Sequence, residues 1–392
     1  MKRAAAMVLC VLLLVSALPV RAWGAEGKSA VLMELTTGQI LGEKNGHQKL
    51  APASVTKVMT MLLIMEAIDS GRIRWSDPVT ASETAAAKGG SQVYLKVGET
   101  MTVSDMMKAI AVSSANDCAC AMAEHLCGSE AAFVGEMNRR ARELGMLDTN
   151  FVNCTGLDDS REALEHRTSA VDIAIMSREL LLRHPDIRKY TTIWMDTLRN
   201  GTFGLSNTNN MVRYYKGTTG LKTGYTRGAG FCLSASARRE DLELIAVVMG
   251  ADSSRDRFGA AKSILDYGFA NFALAAPELP EKPRVPVALG RTGTVAVKLG
   301  EAGGLVVKKT QRAQIRTRVE LPDRVSAPVL PGQQLGMLTV TSGDQVLRQI
   351  PLVAEAGVER LGYGSLLYRI LGGICSGDPQ WASAERSEFD KN

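Results

Sequence analysis

The pattern of apolar and polar positions near the start of the chain predicts a hairpin followed by a buried helix. Between Ser29 and Glu43, two short apolar runs flank the turn residues Thr36-Thr37-Gly38, which is typical of paired strands. From Val55 to Ile68, apolar residues fall on every side of a helical repeat. A helix without a polar face is expected to be surrounded by other elements.

The middle of the chain is mostly helical, and strand patterns return after it. Helical patterns lie near 104–127, 129–145, 169–183 and 258–272, and strand patterns lie at 229–237 and 242–250. Strands at both ends of a helical region indicate an antiparallel sheet that is completed by segments far apart in sequence. We therefore expect an α+β fold over residues 26–275.

A change of pattern marks a second domain. Four prolines punctuate residues 276–286, which we expect to be a linker. Beyond it, apolar residues alternate with polar ones over 315–321, and the turn Ser342-Gly343-Asp344 separates two more strand-like runs. Residues 287–353 are predicted to form a small all-β domain, a β-sandwich.

The two ends of the chain carry their own signals. Residues 1–25 combine a basic start, an apolar run and small residues, and this pattern predicts a secretory signal peptide, with an uncleaved membrane anchor as the alternative. Residues 354–375 are predicted to be an amphipathic segment whose apolar positions over 358–374 contact a membrane surface; docking on the protein's own surface is the alternative. The polar tail 376–392 is predicted to be disordered.

Composition narrows the classes of function. The 392 residues are 45% hydrophobic and 22% charged, and a net charge of +5 without a basic block argues against a nucleic-acid partner. The four histidines and the cysteines have no metal-ligand spacing, so no metal or other cofactor is predicted. Cys120 and Cys127 share one face of a predicted helix and are expected to be small core residues rather than a disulfide.

The candidate chemistry starts at Ser54 and Lys57. A serine hydroxyl is a poor nucleophile unless a positioned base removes its proton. A lysine serves as that base when burial lowers its pKa, and positions i and i+3 share one face of a helix. Unpaired N–H groups at the start of the helix can stabilise an oxyanion. The structural alternative makes Ser54 an N-cap with Lys57 in solvent.

Two further stretches fit the same chemistry. Ser114 and Asn116 lie between helical patterns, where a hydroxyl and an amide can face the serine–lysine pair. Lys222, Thr223 and Gly224 precede the later strand pair. A lysine and a threonine hydroxyl on an edge strand, with a glycine that lets a substrate backbone approach, form a receptor for a carboxylate.

The motifs S-x-x-K, S-x-N and K-T-G, in this order, resemble those of the penicillin-recognising serine enzymes. Residues 26–275 resemble the D-alanyl-D-alanine carboxypeptidases among the low-molecular-mass penicillin-binding proteins. That likeness implies a β-lactamase/transpeptidase-like domain, an antiparallel sheet with a helical cluster. It extends to the β domain and the terminal segment, which are similar to that family's stalk and anchor. The likeness is carried by the stretches LAPASVTKVMT, SSANDCACAMAEHLCGSE, FVGEMNRRARELGMLDTNFVNCTGLDD, LKTGYTRGAGFCLSASA and IAVVMGADSSRDRFGAAKSILDYGF.

The resemblance implies a role for each matching residue. Ser54 would be the acylated nucleophile, Lys57 the general base, and the Ser54 and Tyr225 N–H groups the oxyanion hole. Cys154 departs from the family pattern, which usually has proline there. Ser114 and Asn116 would form a proton relay and hold both Lys57 and the substrate. Lys222 and Thr223 would bind the terminal carboxylate with help from Arg257, and Gly224 and Tyr225 would also contact the substrate.

The implied substrate is a peptidoglycan stem peptide ending in D-Ala-D-Ala, with β-lactam antibiotics as covalent inhibitors. The implied location is extracytoplasmic, on the outer face of the cytoplasmic membrane. A β-lactamase is one alternative, but the E-x-x-L-N run of class A enzymes is absent between Asn116 and Lys222. A non-catalytic wall-binding protein is the other alternative.

Overall fold

The computed structural model describes residues 26–275, 277, 279, 282–300 and 304–364, so the predicted signal peptide, the second half of the amphipathic segment and the tail lie outside the described residues. The chain divides into two units, one that ends at Ala270 and one that begins at Asn271. Within the described residues, no helix has the length and apolar character needed to span a membrane.

The first unit contains a five-stranded antiparallel sheet in the order β2-β1-β9-β8-β7. The predicted hairpin is confirmed, and its strand β1 pairs with β9 from the other end of the unit, with Ser29 opposite Met249. The strands of the unit are β1 Ser29–Glu34, β2 Ile40–Lys44, β3 Pro78–Thr80, β4 Thr100–Thr102, β5 Met195–Leu198, β6 Phe203–Ser206, β7 Thr218–Thr226, β8 Gly230–Arg239 and β9 Leu242–Ala251.

Helices cover this sheet and form the helical cluster of an α+β fold. Helix α6 packs on β1 and β9, while α1 contacts α3, α4, α5 and α6, which is why apolar residues occupy every side of α1. The helices are α1 Lys57–Asp69, α2 Glu83–Ala86, α3 Val103–Val112, α4 Asn116–Cys127, α5 Glu130–Glu143, α6 Ala170–Arg183, α7 Arg188–Thr191, α8 Met211–Tyr214 and α9 Ser254–Asn271.

The second unit is all-β, as its alternating pattern predicts. Its six-stranded sheet has the order β14-β16-β17-β12-β11-β15, and β10 pairs with β13. A core of its own contains Val297, Leu338, Ile350 and Leu352. The strands are β10 Phe272–Ala275, β11 Arg284–Ala288, β12 Thr294–Leu299, β13 Leu305–Lys308, β14 Ile315–Glu320, β15 Val325–Ser326, β16 Gln334–Ser342 and β17 Gln345–Ala354.

Candidate active site

The serine and the lysine of the first motif meet at the entry to α1. Ser54 lies on a 3-10 turn, Ala53–Thr56, which leads directly into α1 at Lys57. Side chains at i and i+3 eclipse each other in a 3-10 turn, and the Lys57 Nζ is 2.9 Å from the Ser54 Oγ. Ala53 has φ of +49°, a left-handed conformation that is costly for alanine. Such strain is typical of functional turns that the surrounding structure holds in place.

Lys57 is fully buried, which changes its chemistry. Its Nζ donates to the Thr155 carbonyl oxygen at 2.8 Å, and the side chain has no exposed surface. Burial lowers the pKa of Lys57 to about 7, although the nearby Asp117 carboxylate opposes part of this shift. Near neutral pH, a large fraction of this amine therefore carries a lone pair that can accept the serine proton.

The second motif lies where the connection after α3 leads into α4, and Asn116 is the first residue of α4. Ser114 has φ of +64°, and the Ser114 Oγ and the Asn116 Oδ1 are buried without a hydrogen-bond partner among the described residues. The Asn116 Nδ2 donates to the Gly89 carbonyl at 2.7 Å, and the Asn116 N–H donates to the Ser91 carbonyl at 2.7 Å. The motif is thus held rigidly, while two of its polar atoms remain available to a ligand or to water.

The third motif lies on β7, which is an edge strand, as the sequence predicts. The Lys222 Nζ donates to the Thr223 carbonyl, and both side chains are buried. Burial, followed by the positive charges of Lys57 and Arg257, holds the pKa of Lys222 well below its ordinary value. A carboxylate bound beside Lys222 would offset this desolvation and favour the ammonium form.

Gly224 brings β7 against the turn that carries Ser54. A Cβ atom at Gly224 would lie 2.7 Å from the Pro52 carbonyl oxygen and 3.0 Å from the backbone nitrogens of Ser54 and Val55. Only glycine fits this approach without a shift of the backbone. The first and third motifs are therefore adjacent in space.

Arg257 and Tyr225 occupy different environments. The Arg257 Nη1 donates to the Gly224 and Cys232 carbonyls at 2.9 and 3.3 Å, and burial lowers the pKa of its guanidinium to about 10. Arg257 thereby supports β7 and β8 through their backbones. Tyr225 is 56% exposed and stacks on Phe231 with ring centroids 4.3 Å apart. The predicted substrate roles of Arg257 and Tyr225 remain predictions.

The sequence does not predict several residues of the site, because they act through backbone groups or through partners that are distant in sequence. The Asp117 carboxylate accepts hydrogen bonds from the Val93 and Leu95 N–H groups. The Thr223 hydroxyl donates to the Thr208 Oγ1 at 2.6 Å. Of these residues, only Asp117 gave a signal, because it directly follows the S-x-N motif.

His166 contacts the turn that carries Ser54 through Thr56. Its Nδ1 accepts the Val152 N–H at 3.1 Å, so the Nε2 carries the proton and donates it to the Thr56 Oγ1 at 2.8 Å. The Thr56 hydroxyl in turn donates to the Ala53 carbonyl, on the strained turn. Burial lowers the pKa of His166 to about 4, so the ring is neutral at ordinary pH. His166 is thus a positioning residue.

The structure explains the departure from the family pattern at Cys154. The Cys154 N–H and Sγ both donate to the Glu130 Oε1 at 3.1 Å, and Lys88 pairs with the other carboxylate oxygen at 2.6 Å. A proline here would lack the N–H donor. The Thr60 hydroxyl donates to the Cys154 carbonyl, which fixes the loop against α1.

The cysteines of the first unit form no disulfide among the described residues. Cys120 is buried and Cys127 half-buried, and both are free thiols, as predicted. Over the part of the chain that the structure describes, no group of three or more histidine, cysteine or acidic side chains could hold a metal ion.

Comparison with known proteins identifies the family. Residues 18–253 match the model of the D-alanyl-D-alanine carboxypeptidase peptidases, and residues 281–360 match the C-terminal domain of penicillin-binding protein 5. The chain is 41% identical over 353 residues to the D-alanyl-D-alanine carboxypeptidase DacF of Bacillus subtilis, covering 88% of this chain and 90% of the relative.

Solved structures agree with this result. Penicillin-binding protein 5 from Haemophilus influenzae aligns with a TM-score of 0.78 at 28% identity, covering 87% of this chain and 100% of that one. Penicillin-binding protein D2 from Listeria monocytogenes, in an ampicillin-bound form, aligns with a TM-score of 0.58 at 29% identity, covering 63% of this chain and 99% of that one. The chain belongs to the D-alanyl-D-alanine carboxypeptidase family of serine peptidases.

Proposed function

We propose that the protein removes the terminal D-alanine from peptidoglycan stem peptides ending in D-Ala-D-Ala, through an acyl-enzyme on Ser54. The observation that carries the proposal is the 2.9 Å contact between the Ser54 Oγ and the fully buried Lys57 Nζ. A lysine with a pKa near 7 accepts the hydroxyl proton as the oxygen attacks the carbonyl of the penultimate D-alanine. The scissile C–N bond then breaks, and the terminal D-alanine leaves with a proton returned to its nitrogen. Water hydrolyses the remaining ester.

The substrate carboxylate is proposed to bind at Lys222 and Thr223. A peptide laid along the edge strand β7 would place its terminal carboxylate there and its scissile carbonyl near Gly224, which lies against Ser54. The Thr223 hydroxyl, which now donates to Thr208, would turn to donate to the carboxylate. This arrangement favours an exopeptidase, since a free carboxylate is the group that the receptor pairs.

The same residues are proposed to react with β-lactams. The N–H groups of Ser54 and Tyr225 would stabilise the oxyanion, and Ser114 and Asn116 would contact the bound acyl group. The ampicillin-bound form of the Listeria monocytogenes relative supports a β-lactam complex here.

We also propose that the protein works outside the cytoplasm, on the outer face of the cytoplasmic membrane. The signal-like pattern of residues 1–25 and membership in a family of wall enzymes support this location. Contact of residues 358–374 with the membrane surface is part of the same proposal.

The test has two measurements on the full chain and on Ser54→Ala. The full chain is expected to release free D-alanine from a pentapeptide ending in D-Ala-D-Ala, and benzylpenicillin is expected to add its mass to the peptide containing Ser54. The Ser54→Ala variant should do neither. Absence of D-alanine release by a folded, penicillin-reactive chain would overturn the proposal, and rapid turnover of penicillin would indicate a β-lactamase instead.

A further inference from the structure

The second unit carries a strongly basic surface that the proposed reaction does not use. Between Lys308 and Arg324 the sequence has six basic residues and two acidic ones, a net charge of +4 in a chain whose total is +5. These residues form the end of β13, a 3-10 turn at Lys309–Gln314, and the edge strand β14 at Ile315–Glu320. We call the surface of residues 308–324 the basic edge.

All six basic side chains of the basic edge are exposed to solvent. None of the side chains of the 3-10 turn is buried. Among the described residues, Lys308, Arg312 and Arg316 form no ion pair with a carboxylate, and Arg316 donates only to the backbone carbonyls of residues 313 and 315. Arg318 faces Glu320 at 3.3 Å, but its side chain is 80% exposed, so water screens this pair strongly.

The register of the sheet extends the basic edge onto a polar face. On β14, Arg316 and Arg318 pair with Thr341 and Thr339 of β16, and Thr339 pairs with Gln349 of β17. Leu338 and Val340, which alternate with these threonines along β16, are buried in the core of the unit. Arg316, Arg318 and the two threonines therefore lie on the outer face of the sheet. The Cα atoms of these two arginines are about 7 Å apart along the strand, and the neighbouring side chains on the same face carry hydroxyl and amide groups.

We propose that the basic edge binds a linear anionic polymer with repeated phosphodiester groups, so that the second unit holds the enzyme on a polyanionic component of the wall. Arginine matches phosphate oxygens through two parallel hydrogen bonds, and a row of exposed cations gains affinity by releasing the counterions of a polyanion. Hydroxyl and amide groups beside the arginines can hydrogen-bond the same oxygens.

The exposed side chains decide against two other polyanions. No large hydrophobic side chain is exposed between Lys308 and Arg324, whereas binding to a bilayer surface uses inserted apolar residues. The same stretch contains no aromatic residue on which nucleic-acid bases could stack. In addition, the segment that is proposed to contact the membrane begins beside β11 and β15, at the end of the sheet opposite to β14. The basic edge is therefore distant from that segment within the sheet order.

The experiment compares three forms of the full chain: unchanged, Arg316→Gln with Arg318→Gln, and a control with Arg284→Gln and Arg291→Gln. The control removes the same charge from exposed arginines elsewhere in the second unit. Binding to a fluorescent poly(glycerol phosphate) is measured from 50 to 200 mM salt. The basic-edge variant is expected to bind at least about tenfold more weakly in 50 mM salt, and the slope of log affinity against log salt is expected to fall by about 2.

Benzylpenicillin acylation should be the same in all three forms, which separates failure of this proposal from failure of the proposed function. Equal binding by the basic-edge and control variants would overturn the proposal. Binding is also measured to two other polyanions, namely vesicles that contain an anionic lipid and, separately, single-stranded DNA. The proposal would also be overturned if the protein bound either of these ligands more tightly than the phosphate polymer and if that binding depended on Arg316 and Arg318.

Discussion

At the scale of single residues, the proposed role of Lys57 as the base predicts how acylation depends on pH. Burial lowers this pKa to about 7, and only the neutral amine accepts the Ser54 proton. We therefore expect the second-order rate of acylation by benzylpenicillin to rise from pH 6 to about pH 8 and then level off. Stopped-flow or quenched mass measurements across this range test the prediction, and a flat profile between pH 6 and 8 would exclude Lys57 as the base.

Removal of the same amine gives a second test. Lys57→Ala is expected to slow acylation by at least about a hundredfold, because a positioned base contributes at least that factor. Intact mass after penicillin treatment measures the loss, and thermal unfolding shows whether the variant is folded. Normal acylation by a folded Lys57→Ala protein at neutral pH would refute the assigned role.

His166 provides a prediction about stability rather than rate. Its pKa is about 4 in the folded protein and near its ordinary value of 6.5 in the unfolded chain, so the unfolded state binds more protons between these values. Stability is therefore complete above pH 6.5 and falls as the pH decreases towards 4. From pH 7 to pH 5 this group should remove about 2 kcal/mol from the free energy of unfolding.

Urea unfolding of the unchanged protein and of His166→Gln at both pH values measures this contribution. Glutamine has an N–H that can still reach Thr56 but does not titrate. We expect the variant to lose about 2 kcal/mol less than the unchanged protein over this interval. Equal losses would show that His166 is protonated in the folded state.

At the scale of elements, the loop that contains Cys154 depends on a backbone donor. The Cys154 N–H donates to the half-buried Glu130 Oε1, and a proline at this position has no N–H to donate. Cys154→Pro is therefore expected to lower the free energy of unfolding by about 1–3 kcal/mol more than Cys154→Ala, which keeps the N–H. Chemical denaturation of both variants measures the difference. If proline is tolerated as well as alanine, the N–H bond to Glu130 does not matter to stability.

The sequence predicts the longer elements because their apolar residues repeat with the period of a helix or a strand. It predicts less well where an interaction is not local. The turn that carries Ser54 belongs to a 3-10 segment rather than to α1. Its conformation depends on distant residues, because a Cβ atom at Gly156 would clash with the Ala53 carbonyl oxygen and His166 hydrogen-bonds Thr56. Asp117 accepts hydrogen bonds from backbone N–H groups, and Thr208 accepts one from the Thr223 hydroxyl. Such contacts produce no periodic pattern of apolar residues in the sequence.

At the scale of the whole molecule, each unit has its own core. The first unit has a core built around α1, and the second has a separate core between its strands. We expect the fragment 26–271 to fold alone and to be acylated by benzylpenicillin at a rate within about threefold of the full chain. Circular dichroism and intact mass test both points. A fragment that is folded but unreactive would show that the second unit contributes to the site.

The pairing of β1 with β9 has a consequence for biosynthesis. Ser29 and Met249 face each other across this pair, so most of the first unit must be synthesised before the central sheet can close. Folds that depend on contacts between distant parts of the sequence form late and slowly. A nascent chain that ends before β9 contains Ser54 and Lys57 but lacks the sheet that keeps Lys57 away from water. We therefore expect such a chain not to react with a β-lactam.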